Sequence, residues 1–183
     1  MSDLILLEAY GIPRQPLGDQ YLEYLCLKQG ECIQLYGRNG SGKSTLLRSL
    51  AGLLFDERLS LKGERSFFLT DNALRLPGLT VREYIEYIEK LYEKECKHVS
   101  HLRAIIDKPV ETLSLGQMQQ LKLLLMLVTD CKVWLLDEPD QALDKQAVVR
   151  LNQLLKVFTV NGGGVIYASH NDSLYASQRV EVG

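Results

Sequence analysis

Apolar positions along this chain recur with two periods, and the changes between them mark out its elements. Residues 4–10, 21–27 and 31–36 are short apolar or alternating runs separated by glycine and proline, the pattern of β-strands. A helical pattern follows at 45–54. Residues 58–62 and 66–70 read as two further strands around Gly63. A polar, proline-containing loop at 71–78 then gives way to a helix over 80–92, where Val81, Tyr84, Ile85, Ile88, Leu91 and Tyr92 share one face.

Thr80 followed by Glu83 matches a capping box, and so does Ser114 followed by Gln117 at the head of a second helix over 114–128. Between them, residues 94–108 are polar and irregular, with a short helix expected at 102–106 before Pro109 breaks it. A buried strand is expected at 132–136. An amphipathic helix follows over 143–158, with Ala147, Leu151, Leu154, Leu155 and Phe158 on one stripe. The glycine-rich turn at 161–164 leads into a strand at 165–168. Strands alternating with helices imply an α/β protein with a mainly parallel core sheet.

Bulk properties narrow the classes. A chain of 183 residues suits one domain with a substantial core, and a net charge of −2 gives no broad basic surface for nucleic acid. No apolar run approaches the ~18–20 residues of a bilayer span. Residues 121–128 come nearest, and Lys122 interrupts them, so they read as a buried helix. The N-terminus lacks the basic region of a secretory signal, so a cytosolic chain is expected. Cys26, Cys32, Cys96 and Cys131 are scattered without a C-x-x-C pair, as reduced thiols would be. His98 and His101 have no carboxylate or cysteine cluster around them, and a solvated connection is expected there.

The chemistry concentrates in Gly37, Arg38, Asn39, Gly40, Ser41, Gly42, Lys43, Ser44 and Thr45, a complete G-x-x-x-x-G-K-[ST] loop between a strand and a helix. Glycines let backbone N–H groups close around phosphate oxygens, and the helix N-terminus adds its positive dipole end. Lys43 can then reach the β- and γ-phosphates, and the Ser44 hydroxyl can ligate magnesium. A second motif is the apolar run Val133, Trp134, Leu135, Leu136, which delivers Asp137 and Glu138 at a strand end. Two adjacent acids there suit one that holds magnesium and one that polarises the water attacking the γ-phosphate.

Three further pieces carry a resemblance. Leu113, Ser114, Leu115, Gly116 and Gln117 look like the signature peptide of the ATP-binding-cassette (ABC) ATPases. The run from Pro139 to Asp144 resembles the segment after their catalytic glutamate, and His170 matches their switch histidine. All five elements stand in family order over nearly the whole chain. The resemblance implies a P-loop NTPase fold of the ABC type, with an antiparallel N-terminal β part, a mainly parallel core sheet and a compact helical lobe. It implies one domain over 1–183, with a core lobe at 1–71 and 129–183 and a helical lobe at 72–128.

It also implies ATP and Mg2+, hydrolysed in a head-to-tail dimer that sandwiches two nucleotides. Glu138, His170 and Lys43 would be catalytic, with Ser44 and Asp137 at the metal. Ser114, Gly116 and Gln117 would approach the nucleotide bound by the other copy, and Asp144 would communicate across the dimer. A separate transmembrane permease would dock near residues 71–79 and the 80–92 helix through leucines such as Leu74, Leu76 or Leu79. Small size and an early end are similar to the ATPase subunit of the bacterial cytochrome c biogenesis haem exporter. A soluble ABC ATPase, or a nucleotide-gated subunit with little hydrolysis, stands as the alternative.

The chain departs from the family pattern in four places. The loop glutamine near magnesium is missing; Asn72 is the better stand-in, with Asp71 as the alternative. The adenine-stacking aromatic is not evident: its position falls near Arg14, with Tyr10 as the alternative. Leu115 stands where glycine is common, and Gln120 replaces the usual basic residue.

Overall fold

The computed structural model describes residues 4–15, 19–70, 78–96 and 99–183, and for His101 the backbone alone. The elements run β1 (Ile5–Pro13), β2 (Tyr21–Lys28), β3 (Cys32–Tyr36), α1 (Lys43–Leu50), β4 (Ser60–Gly63), β5 (Ser66–Leu69) and α2 (Val81–Tyr92). Two 3-10 turns, Val99–Ile105 and Val110–Thr112, lead to α3 (Leu115–Val128), β6 (Val133–Asp137), α4 (Lys145–Val160), β7 (Gly164–Ala168) and β8 (Gln178–Glu181). Strands β2-β1-β4 form an antiparallel sheet. A second sheet, ordered β5-β6-β7-β3-β8, is parallel throughout.

Alternation along the parallel strands sorts their side chains into two cores. Val133 and Leu135 of β6, Ile166 and Ala168 of β7, and Ile33 and Leu35 of β3 pack with β1, β2 and α1. Trp134 and Leu136, Val165 and Tyr167, and Cys32 face the other way, toward α4 and Met126 of α3. Strands buried on both faces read as unbroken apolar runs, which is why β6 carries no polar residue before Asp137. Trp134 stacks on Phe158 of α4 with ring centroids 3.5 Å apart and planes 5° from parallel. A third core joins Val81, Tyr84, Ile85 and Ile88 of α2 to Leu121, Leu124 and Leu125 of α3.

The helix ends show why some expected boundaries hold and others move. Both capping boxes form: Thr80 accepts from the Glu83 N–H and Ser114 from the Gln117 N–H, each with the reciprocal bond. The helix expected at 45–54 instead begins at Lys43, capped by Gly42 in the left-handed region (φ 99), and stops at Leu50. Gly52 (φ 71) ends it, with its N–H on Ser49 O and the Leu53 N–H on Arg48 O, a Schellman motif. β1 runs through Gly11 to Pro13, where a break was expected, because Ile12 and Pro13 still pair with Leu22 and Tyr21. β8, not expected at all, is a short edge strand beside β3.

Strands β6, β7 and β3 are neighbours and parallel, so their carboxyl ends lie side by side. Asp137 and Glu138 leave the first, Ser169 and His170 the second, and Gly37 the third. That edge is where ligands of such sheets bind.

Candidate functional site

The phosphate loop curls directly off β3. A Cβ at Gly37 (φ 150) would lie 2.2 Å from Val182 O, and one at Gly42 would lie 2.0 Å from Arg14 O, so neither position accepts a side chain. Lys43, 6% exposed, donates to Gly37 O at 2.9 Å and to Arg38 O at 3.1 Å, so its ammonium sits inside the curl. Ser44 Oγ donates to Asp137 Oδ1 at 2.9 Å, joining the head of α1 to the end of β6.

A cavity of about 510 Å³ opens over this loop. Loop residues Asn39, Gly40 and 42–45 line it together with Arg14, Gln15, Glu138 and His170. The Ser41 carbonyl accepts a long bond (3.4 Å) from Arg14 Nε, which ties Arg14 to the loop. Of the two adenine-side alternatives, Arg14 therefore lines the cavity. Tyr10 stacks on Tyr24 (centroids 4.8 Å) and donates to Glu8, away from it.

Glu138 follows β6 with a left-handed backbone (φ 49), its N–H bonded to Ala168 O at 2.9 Å. Such a conformation in a non-glycine residue is held only where the surroundings impose it. Its Oε1 lies 3.2 Å from His170 Nε2. Burial pushes the Glu138 carboxyl above its ordinary range; the nearby His170 ring opposes that, and the Asp140 and Asp137 charges reinforce it. A carboxylate made more basic in this way is a better proton acceptor.

The signature peptide lies elsewhere. Ser114, Gly116 and Gln117 do not line the cavity; Ser114 and Leu115 are exposed, Leu115 to 77%. Ser114 Oγ accepts the Gln117 N–H at 3.3 Å, which leaves its own O–H to donate. A Cβ on Gly116 would meet Ala142 O at 2.5 Å, so glycine here lets α3 close on the segment after Glu138. Asp144 caps α4, accepting the Ala147 N–H at 2.7 Å. Asp71, Asn72, Leu74, Leu76 and His98 lie outside the described residues.

Three residues received no individual role from the sequence. Gln15 lines the cavity. Gln119, buried in α3, donates to Pro139 O at 3.0 Å and to Glu138 O at 3.4 Å. Asp140, also buried, receives bonds from Ser169, Asn171 and Ser173. Gln119 and Asp140 act through partners distant in sequence, which no local pattern reveals. All four cysteines are free; burial pushes Cys32 up to about 12 and Cys96 to about 11, so both stay inert thiols. Among the described residues no helix is long and apolar enough to cross a membrane.

Known proteins match this arrangement. The family described as ABC transporter matches residues 24–141, more than half of the chain. The cytochrome c biogenesis ATP-binding export protein CcmA of Bordetella parapertussis is 34% identical over 190 residues, covering 90% of this chain and 83% of that protein. The protein of the same name from Paracoccus denitrificans is 32% identical over 163 residues, covering 85% and 78%. A solved ATP-binding subunit of an ABC transporter superposes with a TM-score of 0.83 at 20% identity, over 97% of this chain and 85% of that one. The RNase-L inhibitor also superposes, with a TM-score of 0.73 at 21% identity, over 92% of this chain and 34% of that one, so the fold by itself does not select a task. Sequence match and parallel-sheet site together make this chain a member of the ABC transporter family, carrying its ATP-binding domain.

Proposed function

We propose that this chain hydrolyses ATP with magnesium, as one of two copies closing on two nucleotides, and that closure drives a separate membrane permease. The observation that carries this reading is the pairing of Glu138 with His170 in the cavity that the phosphate loop also lines. Lys43 and the backbone N–H groups around it bind the β- and γ-phosphates, and the Arg14 guanidinium stacks on the base. Glu138 accepts a proton from the attacking water as the bond from the γ-phosphorus to the ADP oxygen breaks. His170 donates to the γ-phosphate oxygens as charge builds on them.

Ser44 and Asp137 would hold magnesium, which when bound neutralises phosphate charge. The donors suit it: both are hard oxygens already within 2.9 Å of each other. Among the described residues no group of three or more His, Cys, Asp or Glu side chains could cage a metal. Magnesium sites of this kind are completed by phosphate oxygens and water. Asn72 is the third donor in this reading.

The second copy supplies Ser114, Gly116 and Gln117; Ser114 is exposed, the other two are half-buried, and none lines its own cavity, which supports a role toward a partner's nucleotide. Permease docking has support in a mainly apolar groove lined by Ala51, Leu53, Phe67, Phe68 and Leu125, with Ser66 and Thr70. Of the leucines expected at the docking surface, Leu79 is half-buried. The names of the relatives support export for cytochrome c biogenesis as the transport task; in this reading the cargo is haem and the chain works at the cytoplasmic face of a membrane.

Tagged protein carrying Glu138→Gln, purified from detergent-solubilised membranes with ATP and magnesium, tests this. Turnover is expected to fall by about 100-fold or more while ATP stays bound, with a multi-spanning protein recovered alongside. Normal turnover overturns the role of Glu138, and recovery of soluble proteins alone overturns the transport reading.

A further inference from the structure

Asp140 is 5% exposed, and its carboxylate is spent almost wholly on one short segment of chain. Oδ1 accepts from Ser169 Oγ at 2.8 Å; Oδ2 accepts from Asn171 Nδ2 at 3.0 Å and from Ser173 Oγ at 3.5 Å. Bonds to an ionised acceptor in a low-dielectric setting are strong and directional. The residues they hold flank His170 on both sides. Ser169, itself 1% exposed, also accepts the Asn171 N–H at 3.0 Å, which draws the chain around His170 into a tight bend. Gln34 of β3 donates to Asn171 O at 3.1 Å, tying that bend to the strand that enters the phosphate loop.

The other end of the linkage is equally fixed. Asp140 lies two residues beyond Glu138, in a turn closed by the Gln141 N–H on Glu138 O at 3.1 Å and clamped by Gln119 from α3. His170 is itself exposed, with its side chain 46% accessible, so packing does little to fix its ring. We propose that Asp140 is a positioning residue for ATP hydrolysis: its buried carboxylate holds the bend carrying His170 against the turn carrying Glu138. This rests on the roles assigned above to Glu138 and His170.

The chemistry separates hydrogen bonding from charge. In Asp140→Asn, the amide oxygen still accepts from Asn171 Nδ2 and the amide nitrogen donates to Ser169 Oγ. That hydroxyl can then give its proton to Asn171 O, a contact of 3.4 Å already present. The bend survives without the charge. In Asp140→Ala every one of these bonds is lost, and His170 drifts relative to Glu138. A displacement near 1 Å of a reacting geometry costs on the order of 100-fold in rate. Here, with Glu138 itself still in place, roughly a 30-fold loss is expected.

The test is steady-state ATP hydrolysis by the full chain purified together with the membrane proteins that accompany it, with Glu138→Gln as control. Asp140→Ala is expected to lower kcat roughly 30-fold with KM for ATP changed less than about threefold, and Asp140→Asn to recover kcat to within about threefold of the parent. An inactive Glu138→Gln together with a kcat within twofold for Asp140→Ala overturns the proposal, as does equal loss in the Ala and Asn variants. Activity in Glu138→Gln instead overturns the underlying reading of the site. Should Asp140→Ala fail to fold, Asn171→Ala, at an exposed position, removes a single bond. It is expected to lower kcat about fivefold at unchanged KM, and a change under twofold overturns the proposal.

Discussion

The phosphate loop and the signature peptide are both glycine-containing segments at a helix N-terminus, yet they are built in opposite ways. Around the loop, side chains are committed to one another: Lys43 to the carbonyls of Gly37 and Arg38, Ser44 to Asp137, Glu138 to His170. At the head of α3 the polar groups satisfy only their own capping box, and Leu115 stands in the open. One region is complete within a single chain. The other presents a finished helix end to solvent. Its cap is also neutral. Gln117 takes the place that Glu83 fills in the cap of α2, so the first turn of α3 carries no negative charge.

The sharpest break of this contrast is Lys43→Ala. It removes a buried ammonium from the self-contained region and is expected to weaken nucleotide binding by roughly 100-fold, read by titration calorimetry on the chain alone. Comparable binding by parent and variant would mean that the loop does not depend on its lysine. Gln117→Glu sharpens the other side. Helix capping is retained, but the added charge is expected to cut ATP turnover roughly tenfold while leaving nucleotide binding to the chain alone unchanged. Lost binding in the isolated chain would place Gln117 at its own cavity instead.

The smallest effect separates the two caps by pH. The Thr80 N–H and hydroxyl hold the Glu83 carboxyl below its ordinary range. A depressed folded-state value means that its stabilisation is present above the unfolded value and is lost as pH falls through the folded one. The melting-temperature difference between parent and Glu83→Gln should therefore shrink between about pH 7 and about pH 3. A difference that stays constant over that range would show that the carboxylate contributes no charge-dependent stability.

Local signals made much of the fold legible. Both capping boxes, the unbroken run of β6 and the loop at 37–45 declare themselves through neighbours in sequence. Boundaries moved at two glycines whose left-handed backbones set the ends of α1. Gly42 caps α1 in place of a serine or aspartate, and Gly52 ends it four residues before the expected Leu54. β8 escaped notice because Gln178, Arg179, Val180 and Glu181 form a short, largely exposed edge strand without apolar alternation. At the site, the chemistry of Lys43, Ser44, Asp137, Glu138 and His170 was written in motifs. The supports were not: Gln119 and Asp140 reach carbonyls and side chains 19 to 33 positions away, and such closures exist only once the chain has folded.

Trp134 is the only tryptophan in the chain, and it sits three residues before Asp137. Its side chain is 2% exposed and lies flat on Phe158, and its buried indole nitrogen has no hydrogen-bond partner among the described residues. Water thus has no access to the one strongly emitting fluorophore, whose light should be short in wavelength in the native protein and shift to the red on unfolding. The chain carries its own optical gauge on the strand that delivers the acids, readable without a label.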